Sequence, residues 1–161
     1  MRLAILILED EPPVREALQR DLAAFAHLVR IEAAEDAETA REVIDEIRAA
    51  GDRLALVLAD HRLPGTSGVD VLIALRADED TRAARQILVT GQADQDDTIR
   101  AINDAGLDRY VAKPWSPDAL RALVREQLTE YVLANRLDPL PHLAALDAER
   151  ALALVRERGD L

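Results

Sequence analysis

Four short apolar segments of this chain end in side chains suited to handling a phosphoryl group or a hard cation. "LAILIL" (3–8) runs into Glu9, Asp10 and Glu11; "LALVLA" (54–59) into Asp60; "QILVT" (86–90) ends in Thr90; and "RYVA" (109–112) runs into Lys113. Clustered carboxylates repel one another unless a cation neutralises them. Mg²⁺ suits such a group, being hard, oxygen-seeking and content with one or two carboxylates plus waters and phosphate oxygens. A hydroxyl and an ammonium are apt donors to phosphoryl oxygens. An aspartate can attack phosphorus and form an acyl phosphate, and phosphoryl transfer needs mainly positioning and charge neutralisation. Of the 20 basic residues 19 are arginine, so Lys113 is the lone lysine.

Taken singly, each residue has an ordinary explanation. Acids ahead of a helix are charge caps, Asp60 in "DHRLPG" suits a turn, Thr90 can be a plain strand end, and lysines usually sit in solvent. Four such residues at four segment ends point instead to one site, provided the segments are strands whose carboxyl ends share an edge.

The pattern of the chain supplies that arrangement. The runs 3–8, 28–34, 54–59, 86–90 and 109–112 are short, apolar and bounded by turn or charged residues, as buried strands are. Amphipathic stretches lie between them. Val14, Leu18, Leu22 and Phe25 follow Pro12-Pro13; Ala40, Val43, Ile44 and Ile47 end at Gly51; Val69, Leu72, Ile73 and Leu75 form a third stretch; Ile99 and Ile102 mark a fourth ending at Gly106; Leu120, Leu123, Val124, Leu128 and Tyr131 form a fifth. Proline at a helix start and glycine at its end fit these bounds. Strand–helix alternation predicts an α/β fold, a doubly wound five-stranded parallel sheet in the common order 2-1-3-4-5. That order makes strands one and three neighbours at the topological switch point, bringing Glu9, Asp10 and Asp60 together, with Thr90 and Lys113 approaching from the other side.

Composition narrows the function classes. The net charge of -11 and the 2% of aromatics argue against nucleic-acid binding. The chain has no cysteine, which removes disulfides, thiolate metal sites and thiol nucleophiles and is compatible with a cytoplasmic location. No apolar run approaches the ~20 residues that span a bilayer, and "LAILIL" followed by "EDEPP" does not read as a secretory leader. His27, His61 and His142 lack metal-ligand spacing. The acidic runs at 78–80 and 94–97 read as helix boundaries.

Together, "ILILEDEP", "LVLADHRLPGTSG", "ILVTGQAD" and "YVAKPW" make the chain resemble the receiver domain of two-component response regulators over about residues 1–125. The resemblance implies that Asp60 is the phosphoacceptor. Mg²⁺ would be held by Glu9, Asp10, Asp60 and the backbone carbonyl of Arg62. Thr90 and Lys113 would bind the phosphoryl oxygens, and Thr90 and Tyr110 would act as the switch. It further implies a histidine kinase or phosphotransfer protein as partner, a cis Lys113–Pro114 bond, read-out on the face of helix four, strand five and helix five, and no enzymatic turnover beyond the domain's own phosphorylation and dephosphorylation. Glu9 stands where the family more often has aspartate, and Trp115 where it often has phenylalanine. A haloacid-dehalogenase-like phosphatase would want a second carboxylate two residues after the nucleophile, where Arg62 stands. A partner-binding module that works without phosphorylation would not need the full set of site residues.

Residues 1–128 are expected to form the receiver domain and 129–161 a helical extension. Helix five is expected to reach about Leu137, "DPLP" (138–141) to break it, and 142–159 to form another amphipathic helix with Leu143, Leu146, Leu152 and Val155 on its apolar face. For this extension a homodimerising tail (an alternative to dimerisation through the helix four–strand five–helix five face), a protein-docking surface and a linker to an output domain remain open readings.

Overall fold

A computed structural model describes residues 1–91 and 95–159. Among them, five parallel strands form one sheet: β1 (Leu3–Leu8), β2 (Arg30–Ala34), β3 (Arg53–Asp60), β4 (Arg85–Thr90) and β5 (Arg109–Ala112), in the spatial order 2-1-3-4-5. The helices are α1 (Pro12–Asp21), α2 (Ala37–Ala49), α3 (Gly68–Ala77), α4 (Gln95–Arg100), α5 (Pro117–Ala134) and α6 (Ala148–Glu157). The predicted α/β class, strand order and C-terminal helical extension are all present.

The sheet explains the apolar runs. All of β1 and all of β3 beyond Arg53 are buried, because helices cover both faces. Alternate side chains feed two cores. Leu3, Ile5 and Ile7 join Leu18, Leu22, Leu120, Val124 and Leu128 on the α1–α5 side. Ala4, Leu6 and Leu8 join Ile44, Ile47, Val69 and Leu72 on the α2–α3 side. The β1–β3 register shifts between Ala4 and Ile5, so Ala55 and Leu56 both fall in the α1–α5 core.

Three expectations change in the structure. α1 stops at Asp21, and Phe25 reaches the core from a short 3₁₀ turn (Ala23–Phe25). β5 is an exposed edge strand rather than a buried run. α4 continues as a π turn over Ala101–Ala105, and it turns Thr98 and Ala101 inward while Ile99 and Ile102 stay 49% and 48% exposed. The first residue of the acidic run at 94–97 lies outside the described residues; the rest of it opens α4.

α5 passes through residue 128 unbroken. The segment after it forms a 3₁₀ helix (Leu140–Ala145) and then α6, not one helix from 142 to 159, because the Asp147 side chain accepts from Arg150 N and starts a new helix there. This extension is fastened to α5. Asp147 N donates to Thr129 Oγ1 at 2.8 Å, and the Arg125 guanidinium donates to the carbonyls of Ala144 and Leu146 at 2.9 and 3.0 Å. Arg125 also lies over the Phe25 ring, 5.2 Å from its centre. Ala145, Leu146 and Ala151 belong to the same core as β1. Among the described residues no helix is long and apolar enough to cross a membrane.

Candidate functional site

The carboxyl ends of β1, β3, β4 and β5 meet at one edge of the sheet. Leu8 pairs with Ala59, Asp60 with Val89, and Thr90 with Ala112. Glu9 and Asp10 therefore follow β1 directly beside Asp60, the last residue of β3. Each of the three offers a carboxylate oxygen within 4.8 Å of the others. Glu9 is fully buried and Asp60 is 5% exposed.

The backbone around Asp60 is held from several sides. His61 N donates to Val89 O at 3.1 Å, and Gly68 N donates to His61 O at 2.8 Å. Arg62 N donates to the Asp60 carboxylate at 3.2 Å. Two short antiparallel strands, Arg62–Leu63 and Thr66–Ser67, close through Pro64 and Gly65, whose φ of +74° is natural only for glycine. They deliver α3 against the acid: a Cβ on Gly68 would stand 1.8 Å from Asp60 O, so no other residue fits there without moving the backbone.

Lys113 comes to the same point from β5. Its backbone N donates to Thr90 O at 2.9 Å, and its peptide bond to Pro114 is cis, as expected. Its ammonium lies 2.6 Å from an Asp60 oxygen and 3.7 Å from Glu9 Oε2. Burial pushes the lysine pKa down, but the hydrogen bond and charge of Asp60, then the charges of Glu9 and Glu11, outweigh it and leave the pKa raised. The carboxyl of Glu9 is pushed up to about 7, first by burial and then by the charge of Asp60, despite a hydrogen bond from Glu11 N and the nearby Lys113. Glu9 Oε2 is buried and accepts no hydrogen bond. A buried oxygen of this kind beside two further carboxylates fits a hard divalent cation.

Thr90 and Tyr110 line a common groove of about 320 Å³ with Thr98, Ile99 and Ile102. The Thr90 hydroxyl donates to Gly91 O at 3.1 Å, and Tyr110 is 56% exposed. The site thus brings together Glu9, Asp10, Asp60 and Lys113, with Thr90 beside the strand end and Tyr110 on the outer side of the groove. Sequence reasoning missed Arg15, whose guanidinium donates to the carbonyls of Glu9 at 3.0 Å and Asp10 at 3.5 Å. It also missed Asp21, which accepts from Trp115 Nε1 at 2.8 Å. Arg15 donates to backbone carbonyls, which leave no mark on residue type, and Asp21 and Trp115 are 94 positions apart, beyond any local spacing.

Residues 5–125 match the sequence profile of the response regulator receiver domain. The hydrogenase transcriptional regulatory protein HoxA of Cupriavidus necator is 30% identical over 157 residues, which are 96% of this chain and 29% of HoxA. The phosphate regulon transcriptional regulatory protein PhoB of Pseudomonas aeruginosa is 31% identical over 159 residues, 91% of this chain and 65% of PhoB. The chain therefore spans less than two thirds of either relative. In fold, it is similar to the signal receiver domain of an HD domain-containing protein from Pseudomonas fluorescens Pf-5, with a TM-score of 0.73 at 24% identity, covering 84% of this chain and 93% of that one. The profile match across three quarters of the chain, joined to the strand-end acids and lysine, makes this protein a member of the response regulator receiver domain family.

Proposed function

We propose that the chain is a phosphorylation-dependent switch in which Asp60 accepts a phosphoryl group from the phosphohistidine of a histidine kinase or phosphotransfer protein. The observation that carries this reading is the Lys113 ammonium 2.6 Å from the Asp60 carboxylate, in a pocket shared with Glu9 and Asp10. An Asp60 oxygen forms the new O–P bond, the P–N bond of phosphohistidine breaks, and the imidazole leaves. Glu9, Asp10, Asp60 and the Arg62 carbonyl are the oxygens that would hold Mg²⁺, Glu9 through its charge. When bound, the ion would neutralise the acids and the incoming phosphoryl oxygens.

Lys113 passes its contact from the carboxylate to a phosphoryl oxygen. Thr90 gives up Gly91 O for another phosphoryl oxygen, and the vacated groove lets Tyr110 turn inward. The face formed by α4, β5 and α5 changes shape with it, a two-state element biased by a local charge event. Exposure of Tyr110, Ile99 and Ile102 around that groove supports this read-out face. The domain works as a signalling module at a cytoplasmic location, and its phosphoryl chemistry is confined to its own aspartate.

Incubation with acetyl phosphate and Mg²⁺ tests the assignment. The wild-type chain is expected to take up one phosphoryl group, seen by mass spectrometry or a phosphate-affinity gel, and Asp60→Asn none. Full labelling of Asp60→Asn would place the acceptor elsewhere.

A further inference from the structure

The lysine-bearing loop is anchored to α1 by a bond that the transfer chemistry does not itself require. Only residues 113–116 separate β5 from α5. At one end Lys113 N is tied to Thr90 O. Two residues on, the indole N–H of Trp115 donates to Asp21 Oδ2 at 2.8 Å, across 94 positions of sequence. Asp21 is only 6% exposed, and its carbonyl accepts from the Arg121 guanidinium at 3.2 Å. The neighbouring Arg20 also reaches the Asp21 carboxylate at 3.4 Å, but its side chain is 74% exposed and so contributes little hold.

α1 touches the other half of the site as well. Arg15, in its first turn, donates to the carbonyls of Glu9 and Asp10. A helix of ten residues, ~15 Å long, thus grips the acid loop through Arg15 and the lysine loop through Asp21. The bond fixes geometry because opening it would leave a buried Asp21 oxygen without its indole partner.

We propose that Asp21 and Trp115 are positioning residues for phosphoryl transfer: their hydrogen bond ties the Lys113 loop to α1 and so sets where the ammonium stands relative to Asp60. This rests on the phosphoacceptor reading of Asp60. Loss of the bond lets Lys113 drift from the phosphoryl oxygen it must neutralise, while the carboxylates that would hold the cation remain in place.

The test uses the full chain as wild type, Trp115→Phe, Asp21→Ala, Asp21→Asn and the Trp115→Phe/Asp21→Ala double variant. Two quantities are measured: the rate of labelling by acetyl phosphate at saturating Mg²⁺, and the Mg²⁺ dissociation constant by calorimetry. Trp115→Phe and Asp21→Ala are each expected to label about tenfold more slowly, the scale of a small misplacement of a reacting group. The double variant should be no slower than either single one, since both remove the same bond. Asp21→Asn should restore the wild-type rate, because its amide oxygen still accepts from the indole. Mg²⁺ affinity should hold throughout. If Asp21→Ala does not fold, Trp115→Phe, which keeps an aromatic ring without the N–H, decides alone. Wild-type labelling rates in Trp115→Phe would overturn the proposal, as would an Asp21→Asn as slow as Asp21→Ala, or an Mg²⁺ affinity falling in step with the rate. A wild-type chain that takes no label would overturn the phosphoacceptor reading and the positioning role with it.

Discussion

The Lys113 ammonium is 2.6 Å from Asp60 Oδ1 and 3.7 Å from Glu9 Oε2, so one cation spans two carboxylates that would otherwise repel each other. A compact ammonium with three donors can hold that position and pivot to a new oxygen, whereas a guanidinium is a rigid planar fork. Lys113→Arg is therefore expected to keep the charge and lose the switch. Addition of beryllofluoride, a phosphoryl mimic, with Mg²⁺ should shift the amide resonances around Tyr110 in the wild type and leave them in place in the variant. Equal shifts in both would contradict the role given to the lysine.

Glu9 is a source of instability whenever no cation offsets its charge. Its carboxyl titrates at about 7 against an ordinary 4.5, so the unfolded chain ionises it first. The stability it contributes is complete below pH 4.5 and is lost as pH rises through about 7. At about 1.4 kcal/mol per unit, the penalty above pH 7 is on the order of 3 kcal/mol. Glu9→Gln should accordingly be more stable than wild type in urea at pH 8 without divalent ions, with the advantage shrinking toward pH 4.5, and it should bind Mg²⁺ more weakly. A less stable Glu9→Gln at pH 8 would refute this account.

Gly68→Ala should perturb the site without touching its charges. The added Cβ collides with Asp60 O, so either α3 or the end of β3 must move. Overpacking of this kind costs about 1–3 kcal/mol, and labelling by acetyl phosphate should slow along with it. A thermal melt and a labelling rate indistinguishable from wild type would show that the backbone yields there freely.

The extension should unfold together with the sheet. Leu146 is 2% exposed within the core that contains β1. Leu146→Ala should lower the unfolding free energy by about 2–5 kcal/mol, with a single urea transition whether followed by circular dichroism or by Trp115 fluorescence. Two separated transitions would make residues after α5 an independent unit.

His142, in the same extension, gives the opposite pH dependence to Glu9. Burial, followed by the positive N-terminal amine, lowers its pKa below the ordinary 6.5, with Asp138 opposing. The unfolded chain then takes the proton first, so the stability His142 contributes is present above pH 6.5 and is lost as pH falls through its lower folded value. His142→Gln should flatten that loss below pH 6.5; a slope equal to the wild type's would exclude the imidazole as its source.

Most of the sheet and the site was legible because it is written in local runs. "LAILIL" and "LALVLA" are apolar throughout since both faces are covered; Glu9 and Lys113 follow strand ends directly, and Asp60 closes β3. What escaped was fixed by packing. Ile99 and Ile102 look like core positions, yet α4 turns the face carrying Thr98 and Ala101 to the core, and neither residue stands out in an apolar pattern. Phe25 keeps a helical spacing from Leu18 and Leu22 although the helix ends at Asp21. The break at Asp147 depended on a cap within an otherwise helix-like run. Asp21 and Trp115 are joined by a bond between positions no periodicity relates.

The margins of the sheet bear on how the protein behaves when concentrated. An unpaired strand edge is a template for strands of other molecules, and short, charged edges resist that pairing. β5 has only four residues and opens with Arg109, which is paired to Glu126 on α5. β2 has five and opens with Arg30, held by Glu32 and Asp52. Both rims are thereby poor seeds for fibril-like stacking.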